Sequence, residues 1–106
     1  MKYEIRKSYA FDAWLRQLKD RRAVMLIAKR IVRAINGNFG DVRSLGGGLY
    51  EMRLFVGKGY RLYYTVRYNQ VVFLLYGGHK GQQSEDIKKA KRLLKELGES
   101  HDFKNN

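Results

Sequence analysis

Residues 50–80 read YEMRLFVGKGYRLYYTVRYNQVVFLLYGGHK, and this stretch leaves a chain of 106 residues little choice of fold. Residues 49–56, 60–68 and 71–76 are rich in the aromatic and β-branched side chains that suit a pleated surface. Gly57-Lys58-Gly59 and Asn69-Gln70 separate them by the length of a tight turn, so the three runs should form an antiparallel meander. The last run, VVFLLY, is apolar on both parities, which predicts a central strand covered on both faces. The other two alternate. Tyr50, Met52 and Leu54, with Tyr60, Leu62, Tyr64 and Val66, form one apolar face that should meet helices. Glu51, Arg53, Arg61 and Tyr63 share the opposite face, a charged plate with no obvious helix to cover it.

The flanking segments supply the helices. Residues 2–7 alternate like a short half-buried strand. Ser8 can cap a helix in which Phe11, Trp14, Leu15 and Leu18 share one stripe. Asp20 offers a second cap, and Val24, Ile27, Ile31, Ala34 and Ile35 continue the helical period up to Gly37, placed as a C-terminal glycine. The two arms form a hairpin with Lys19-Asp20 at its corner, and Arg21, Arg22, Lys29, Arg30 and Arg33 decorate the outside of the second arm. Residues 38–48 read as a Gly-rich connector; their glycines lack the Lys-Ser/Thr of a P-loop and precede a strand. Ser84 should cap a last helix with Ile87, Ala90, Leu94 and Leu97 inward, Glu85 and Asp86 favouring its N-terminal dipole, and Gly98 ending it. The expected architecture is α+β: a small, antiparallel-rich twisted sheet in the order β-α-α-β-β-β-α, with the helical hairpin and the C-terminal helix packed on one face. One domain is expected over residues 1–98, followed by a polar tail, 99–106.

The charge balance points to the partner. Twenty-two Lys and Arg against ten Asp and Glu leave a net charge of +12, which calls for an anionic surface. Nucleic acid or the ribosome is favoured over an acidic protein or a membrane surface, because Tyr and Arg alternate here and bases stack on both. There is no Cys, so disulfides, thiolate metal sites and a Cys nucleophile are excluded. Two histidines and scattered acids do not make a metal-ligand set, and no cofactor is expected. No apolar run approaches ~18 residues and no leader is visible, so the chain should be cytoplasmic.

Cationic side chains placed this closely can serve RNA cleavage by its own 2′-hydroxyl. That reaction needs a base, balanced charge on the phosphorane, and an acid for the 5′-oxygen. Arg53 and Arg61 offer fixed bidentate charge. An imidazole suits proton transfer near neutrality, which singles out His79 over His101 in the tail. Glu51 could act as base or only hold an arginine; Lys80 could stabilise charge or exchange a proton. Tyr63, Lys58, Arg67, Gln82 and Gln83 would contact RNA around them. The loop 77–83 should bring His79 and Lys80 over the plate. A cross-strand salt bridge and a structural histidine would produce the same residue pattern.

An ordered set of motifs resembles the phage-derived Gp49-like, or HigB-like, addiction-module killer proteins of the RelE/ParE toxin superfamily. It comprises Phe11, Trp14, Leu15 and Leu18; Arg30, Ile31 and Arg33; and the run Gly37-Asn38-Phe39-Gly40-Asp41. It continues with Leu45-Gly46, Gly48-Leu49-Tyr50-Glu51-Met52-Arg53 and Gly57-Lys58-Gly59-Tyr60-Arg61-Leu62-Tyr63-Tyr64. Leu74-Leu75, Gly77-Gly78, Lys80, Asp86-Ile87 and Ala90 complete it, so that most of the chain is covered. The resemblance implies the toxin of a type II toxin–antitoxin pair. Such a toxin cuts mRNA on the ribosome without metal and is neutralised by a helix-turn-helix antitoxin. It also implies that Arg61 holds the scissile phosphate and that Arg53, Lys80 and Glu51 occupy subfamily positions. The chain departs from the subfamily's GGDKS-x-Q pattern by carrying His79 in place of the acid, and the C-terminal catalytic His or Tyr of other RelE-like toxins has no clear match. Two alternatives share the fold: a ParE-like DNA gyrase inhibitor that cuts nothing, and an inactive RNA-binding member.

Overall fold

A computed structural model describes residues 2–99. Eight elements follow one another: β1 (Glu4–Lys7), α1 (Tyr9–Gln17), α2 (Arg21–Ile35), β2 (Val42–Gly46), β3 (Leu49–Leu54), β4 (Tyr60–Arg67), β5 (Val71–His79) and α3 (Gln83–Glu99). The strands form one mixed sheet in the order β1-β5-β4-β3-β2, antiparallel except for the β1–β5 pair. The α+β class, the helical hairpin and the three-strand meander are as the sequence predicts. The Ser8 and Asp20 side chains cap α1 and α2 through Phe11 N and Ala23 N. Gly37, at φ +91°, closes α2: its own N–H reaches Ala34 O and that of Asn38 reaches Arg33 O, the Schellman pattern.

Four details differ from expectation. The connector holds an additional strand, β2, paired with β3. It was hidden because only Leu45 in VRSLG is even half-buried and a register shift between Ser44 and Gly46 breaks the alternation. β5 is interior and covered on both faces, but β4 is the central strand, since β1 adds on the far side of β5. β5 also runs on through Gly77, Gly78 and His79, so the expected loop shortens to residues 80–82. Finally, α3 begins at Gln83, which puts Ser84 inside its first turn, and runs one residue beyond Gly98. The polar tail from Ser100 onward, including His101, lies outside the described residues.

The helices do not share one face. Phe11, Ala23, Ile27 and Ala34 of the hairpin meet Met52, Leu54, Tyr60, Leu62, Tyr64, Val72 and Leu74 on one side of the sheet. On the other side Ala90 and Leu97 of α3 meet Leu49, Tyr63, Phe73 and Leu75. The meander has two apolar parities over β5, so each face recruits its own helix. A register shift at Tyr63/Tyr64 leaves Leu75 as the extra residue of β5. The Ser8 hydroxyl donates to the Leu75 carbonyl at 2.6 Å, satisfying that irregular step from the neighbouring helix start.

The Gly77-Gly78 pair lets both layers close at one level of the sheet. A Cβ on Gly77 would lie 2.2 Å from Trp14 Cε3 of α1, and one on Gly78 would lie 1.9 Å from Asp86 Oδ2 of α3. Only glycine fits between these two side chains.

Candidate active site

Two rungs of the sheet position the predicted residues. Arg43 pairs with Glu51 and Glu51 with Tyr63; two residues on, past the Met52–Leu62 pair, Arg53 pairs with Arg61 and Arg61 with Gly78. Period two puts these side chains on the face that α3 packs against. Glu51 is fully buried and central: Arg43 Nη2 is 3.3 Å from its Oε1, Arg61 Nη1 3.7 Å from the same oxygen, and Gln83 Nε2 of α3 donates to Oε2 at 3.1 Å. Arg61 is itself only 10% exposed at its side chain. Arg53 stands at the rim, where Nη2 donates to Asp41 Oδ1 at 2.8 Å, and this bond holds its guanidinium more firmly protonated than usual.

The plate is therefore not open. α3 lies over it, which corrects the reading of an uncovered charged face. Tyr63 is fully buried, so its ring offers no face to a base, contrary to the expected contact with RNA. Burial next to Glu51 and Asp86 pushes its phenol far above the ordinary value. Glu51, with both oxygens engaged by cations or an amide, is placed to hold Arg61 and Arg43; the alternative role as a base would first require those partners to leave. Gln83 is likewise committed to Glu51.

His79 is not over the plate. It pairs with Tyr60 at the end of β5, out of phase with Gly78, which faces Arg61. Its Nδ1 lies 2.9 Å from the Lys80 carbonyl, an arrangement in which Nδ1–H donates and Nε2 is left for exchange. Lys80 and Lys58 are exposed, and the Lys80 N–H donates to Gly59 O, so the two lysines flank one end of the β3–β4 turn. Arg67 lies at the opposite end of β4, away from the Arg53–Arg61 rung. Gln82 is exposed ahead of α3.

Sequence reasoning missed four participants. Arg43 and Asp41 belong to the stretch read as a flexible connector. Once Val42–Gly46 is a strand, Arg43 falls opposite Glu51 by register alone. Asp86 was read as a helix-dipole residue. It is buried against Gly78, where loss of solvent raises its carboxyl above the usual range and His79 and Lys89 pull it back only in part. Arg30, read as surface decoration, donates to the carbonyls of Arg53 at 2.6 Å, Phe39 at 3.0 Å and Asp41 at 3.4 Å. It thereby ties down both the strand carrying Arg53 and the segment carrying its partner Asp41. Several buried polar atoms here have no hydrogen-bond partner among the described residues: Glu51 Oε1, Arg61 Nε, Tyr63 Oη, Arg53 Nε and Asp86 Oδ2. Of the three arginines only Arg61 is buried, and the unused Nε–H donors of Arg53 and Arg61 can bind an anion wherever one can reach them.

No family model matches the chain. An uncharacterized protein of Haemophilus influenzae is 45% identical over 98 residues, which is 92% of this chain and 99% of that one. Among solved structures, a mutant of the Escherichia coli toxin RelE in the free state superposes with a TM-score of 0.69 at 23% identity, over 87% of this chain and 97% of that chain. The RelBE2 toxin–antitoxin complex of Mycobacterium tuberculosis gives 0.62 at 19% identity, over 76% and 100%. The intact E. coli RelBE toxin–antitoxin complex gives 0.57 at 24% identity, over 73% and 95%. The chain thus belongs to the family of the Haemophilus influenzae protein and is built on the fold of the RelE toxins.

Proposed function

We propose that the chain is the toxin of a bacterial type II toxin–antitoxin module, a HigB-like, ribosome-dependent mRNA endonuclease. The observation that carries this reading is the convergence of Arg43, Arg53 and Arg61 on one sheet face, with the Nη1 of Arg61 aimed at a fully buried Glu51. Three arginines on one face outnumber the two carboxylates, Glu51 and Asp41, that hold them, so the cluster keeps positive charge for an anionic ligand. The likeness to RelE structures, two of them solved with antitoxins, supports the same reading. An antitoxin, the ribosome and mRNA would be the partners, in the cytoplasm.

In the reaction the 2′-hydroxyl loses its proton and attacks phosphorus; the bond from phosphorus to the 5′-oxygen breaks and that oxygen takes up a proton. A 2′,3′-cyclic phosphate and a 5′-hydroxyl result. Arg53, held by Asp41, would bind the equatorial oxygens, and Arg61, held by Glu51 and largely buried, would add positive charge from behind. His79 is the group for proton transfer, through Nε2, and reaches the scissile bond only if the RNA crosses the β5 end of the sheet. Lys80 and Lys58 would neutralise the strand there, with Gln82 and Arg67 as outlying contacts.

Burial of Arg61 favours a second reading, a gyrase inhibitor of the same fold that needs no phosphate at this position. Primer extension on a defined mRNA, with and without translating ribosomes, separates the two. Codon-registered cuts that require ribosomes are expected. Growth arrest without cuts would replace the nuclease reading by the inhibitor.

A further inference from the structure

The outer face of α3 carries a second cationic feature, separate from the Arg53–Arg61 cluster. Lys88, Lys91, Arg92 and Lys95 follow the spacing i, i+3, i+4 and i+7, and all four are exposed. At about 100° per residue they share one stripe, opposite the Asp86, Ala90 and Leu97 side chains buried beneath the helix. Lys89, just off the stripe, is committed elsewhere: its ammonium lies over the Tyr76 ring at 4.7 Å. Lys88 is 3.7 Å from Glu85 in a highly exposed pair, a contact too weak to withhold its charge. Lys91, Arg92 and Lys95 make no ion pair among the described residues. The stripe spans roughly 10 Å of helix.

α2 presents as many cations but a different surface. There Arg22, Lys29 and Arg33 are interleaved with Met25 and Val32, which are 62% and 56% exposed. A mixed basic and apolar face suits a protein partner, which buries apolar area. The α3 stripe has no exposed large apolar side chain, so burying it against a protein or inserting it in a membrane would gain almost no hydrophobic free energy. It also has no Asn, Gln or aromatic side chain with which to read or stack on a base. What remains is evenly spaced point charge, which fits a phosphate backbone held in regular geometry. Single strands need stacking platforms; a duplex does not.

We infer that the outer face of α3 is a docking surface for the phosphate backbone of double-stranded RNA, distinct from the cluster that would act on mRNA. The choice of RNA over DNA rests on the proposed function; the choice of a duplex backbone rests on the stripe. Docking through this face leaves the opposite side of the molecule, with the α2 surface, open to a protein.

The test compares two variants with equal charge loss. In one, Lys91, Arg92 and Lys95 are changed to Gln; in the other, Arg22, Lys29 and Arg33 are. Binding to a fluorescent RNA hairpin with a long stem is measured from 50 to 200 mM salt, beside a DNA duplex of equal length and vesicles of anionic phospholipid. Three lost phosphate contacts should reduce the salt-driven fall in affinity by about 40-fold over that range for the α3 variant. The α2 variant should keep the slope of the parent. Equal losses in both variants would mean that net charge alone binds, and would overturn the inference. Equal binding to DNA would overturn the choice of RNA, and retention by vesicles in preference to RNA would overturn a nucleic-acid surface altogether. Hairpin binding is read without cleavage. An absence of nuclease activity together with α3-dependent binding would therefore remove the proposed function and leave the docking surface standing.

Discussion

Arg61 Nη1 and Glu51 Oε1 face each other at 3.7 Å beneath α3, the carboxylate fully buried and the arginine nearly so. Neither is stable there without the other, and Arg43 completes the charge balance from the sheet edge. Arg61→Ala should destabilise the fold by about 3 kcal/mol, because it strips a buried carboxylate of one partner. The Arg61→Ala/Glu51→Ala double variant should be less destabilised than the two singles together, by about 1–3 kcal/mol. Denaturant melts of the four proteins give this coupling directly, and strict additivity would show that the pair is incidental.

Arg30 holds Arg53 from behind. Its guanidinium serves three carbonyls, and desolvation, with Arg33 nearby, lowers its pKa without depriving it of charge. Arg30→Met should cost about 2 kcal/mol, since three part-buried carbonyls lose a charged donor. Gly40→Ala should produce part of the same effect, because its Cβ would lie 2.8 Å from Arg30 Nη2 at a φ of +69°. If RNA cleavage is observed, Arg30→Met should reduce it by freeing the Asp41–Arg53 pair, while Arg30→Lys restores part. Unchanged cleavage in a folded Arg30→Met protein would remove Arg30 from the support of the site.

The three glycines of β5 and α3 should respond in opposite directions. Gly77→Ala and Gly78→Ala should each cost about 2–3 kcal/mol by overpacking. Adding Asp86→Ala should relieve Gly78→Ala, whose clash is with a carboxylate tip; the Trp14 ring over Gly77, packed between Phe11 and Tyr60, has no such freedom. Gly98 sits in α3 with no described residue near its absent Cβ, and Gly98→Ala should stabilise by about 0.5–1 kcal/mol. Thermal melts that ranked Gly98→Ala below the parent would contradict the helical assignment at that point.

Acid and alkali should act through different groups. Asp86 has a raised folded-state pKa, chiefly from desolvation, with Glu85 adding and His79 and Lys89 opposing. The folded state therefore binds its proton more tightly than the unfolded state. Asp86 detracts from stability above its folded pKa, and that penalty is relieved as pH falls toward the ordinary carboxylate value. Asp86→Asn should raise stability at neutral pH and flatten the profile through that window; a neutral-pH loss instead would mean that its charge is used.

Tyr64 is buried between Tyr50 and Phe39, and its phenol is pushed up to about 12, with Tyr60 and Tyr63 also raised. Here too the folded state keeps the proton longer. The stability so gained is intact below the ordinary phenol value of about 10 and is lost as pH rises from there toward 12. Tyrosinate absorbance should lag in the native protein and rise together with loss of far-ultraviolet circular dichroism. Early ionisation without unfolding would contradict the burial of these rings.

The amino-acid sequence alone determined the strand meander, the capped helical hairpin and the face on which Glu51, Arg53, Arg61 and Tyr63 lie. Each follows from period-two or period-3.6 patterning and from turn and cap residues, which act over a few positions. Tertiary structure decided what covers that face. The stripe of Ile87, Ala90, Leu94 and Leu97 shows that α3 packs, but not on which side of the sheet. The two apolar parities of VVFLLY left one face for each helical layer, and the hairpin took the first. That outcome buried Tyr63 and Glu51, which local patterning had left exposed to a ligand. It also brought Arg43, Arg30 and Asp86 to the site through strand pairing and packing over long chain separations, contacts for which a single sequence carries no local signal.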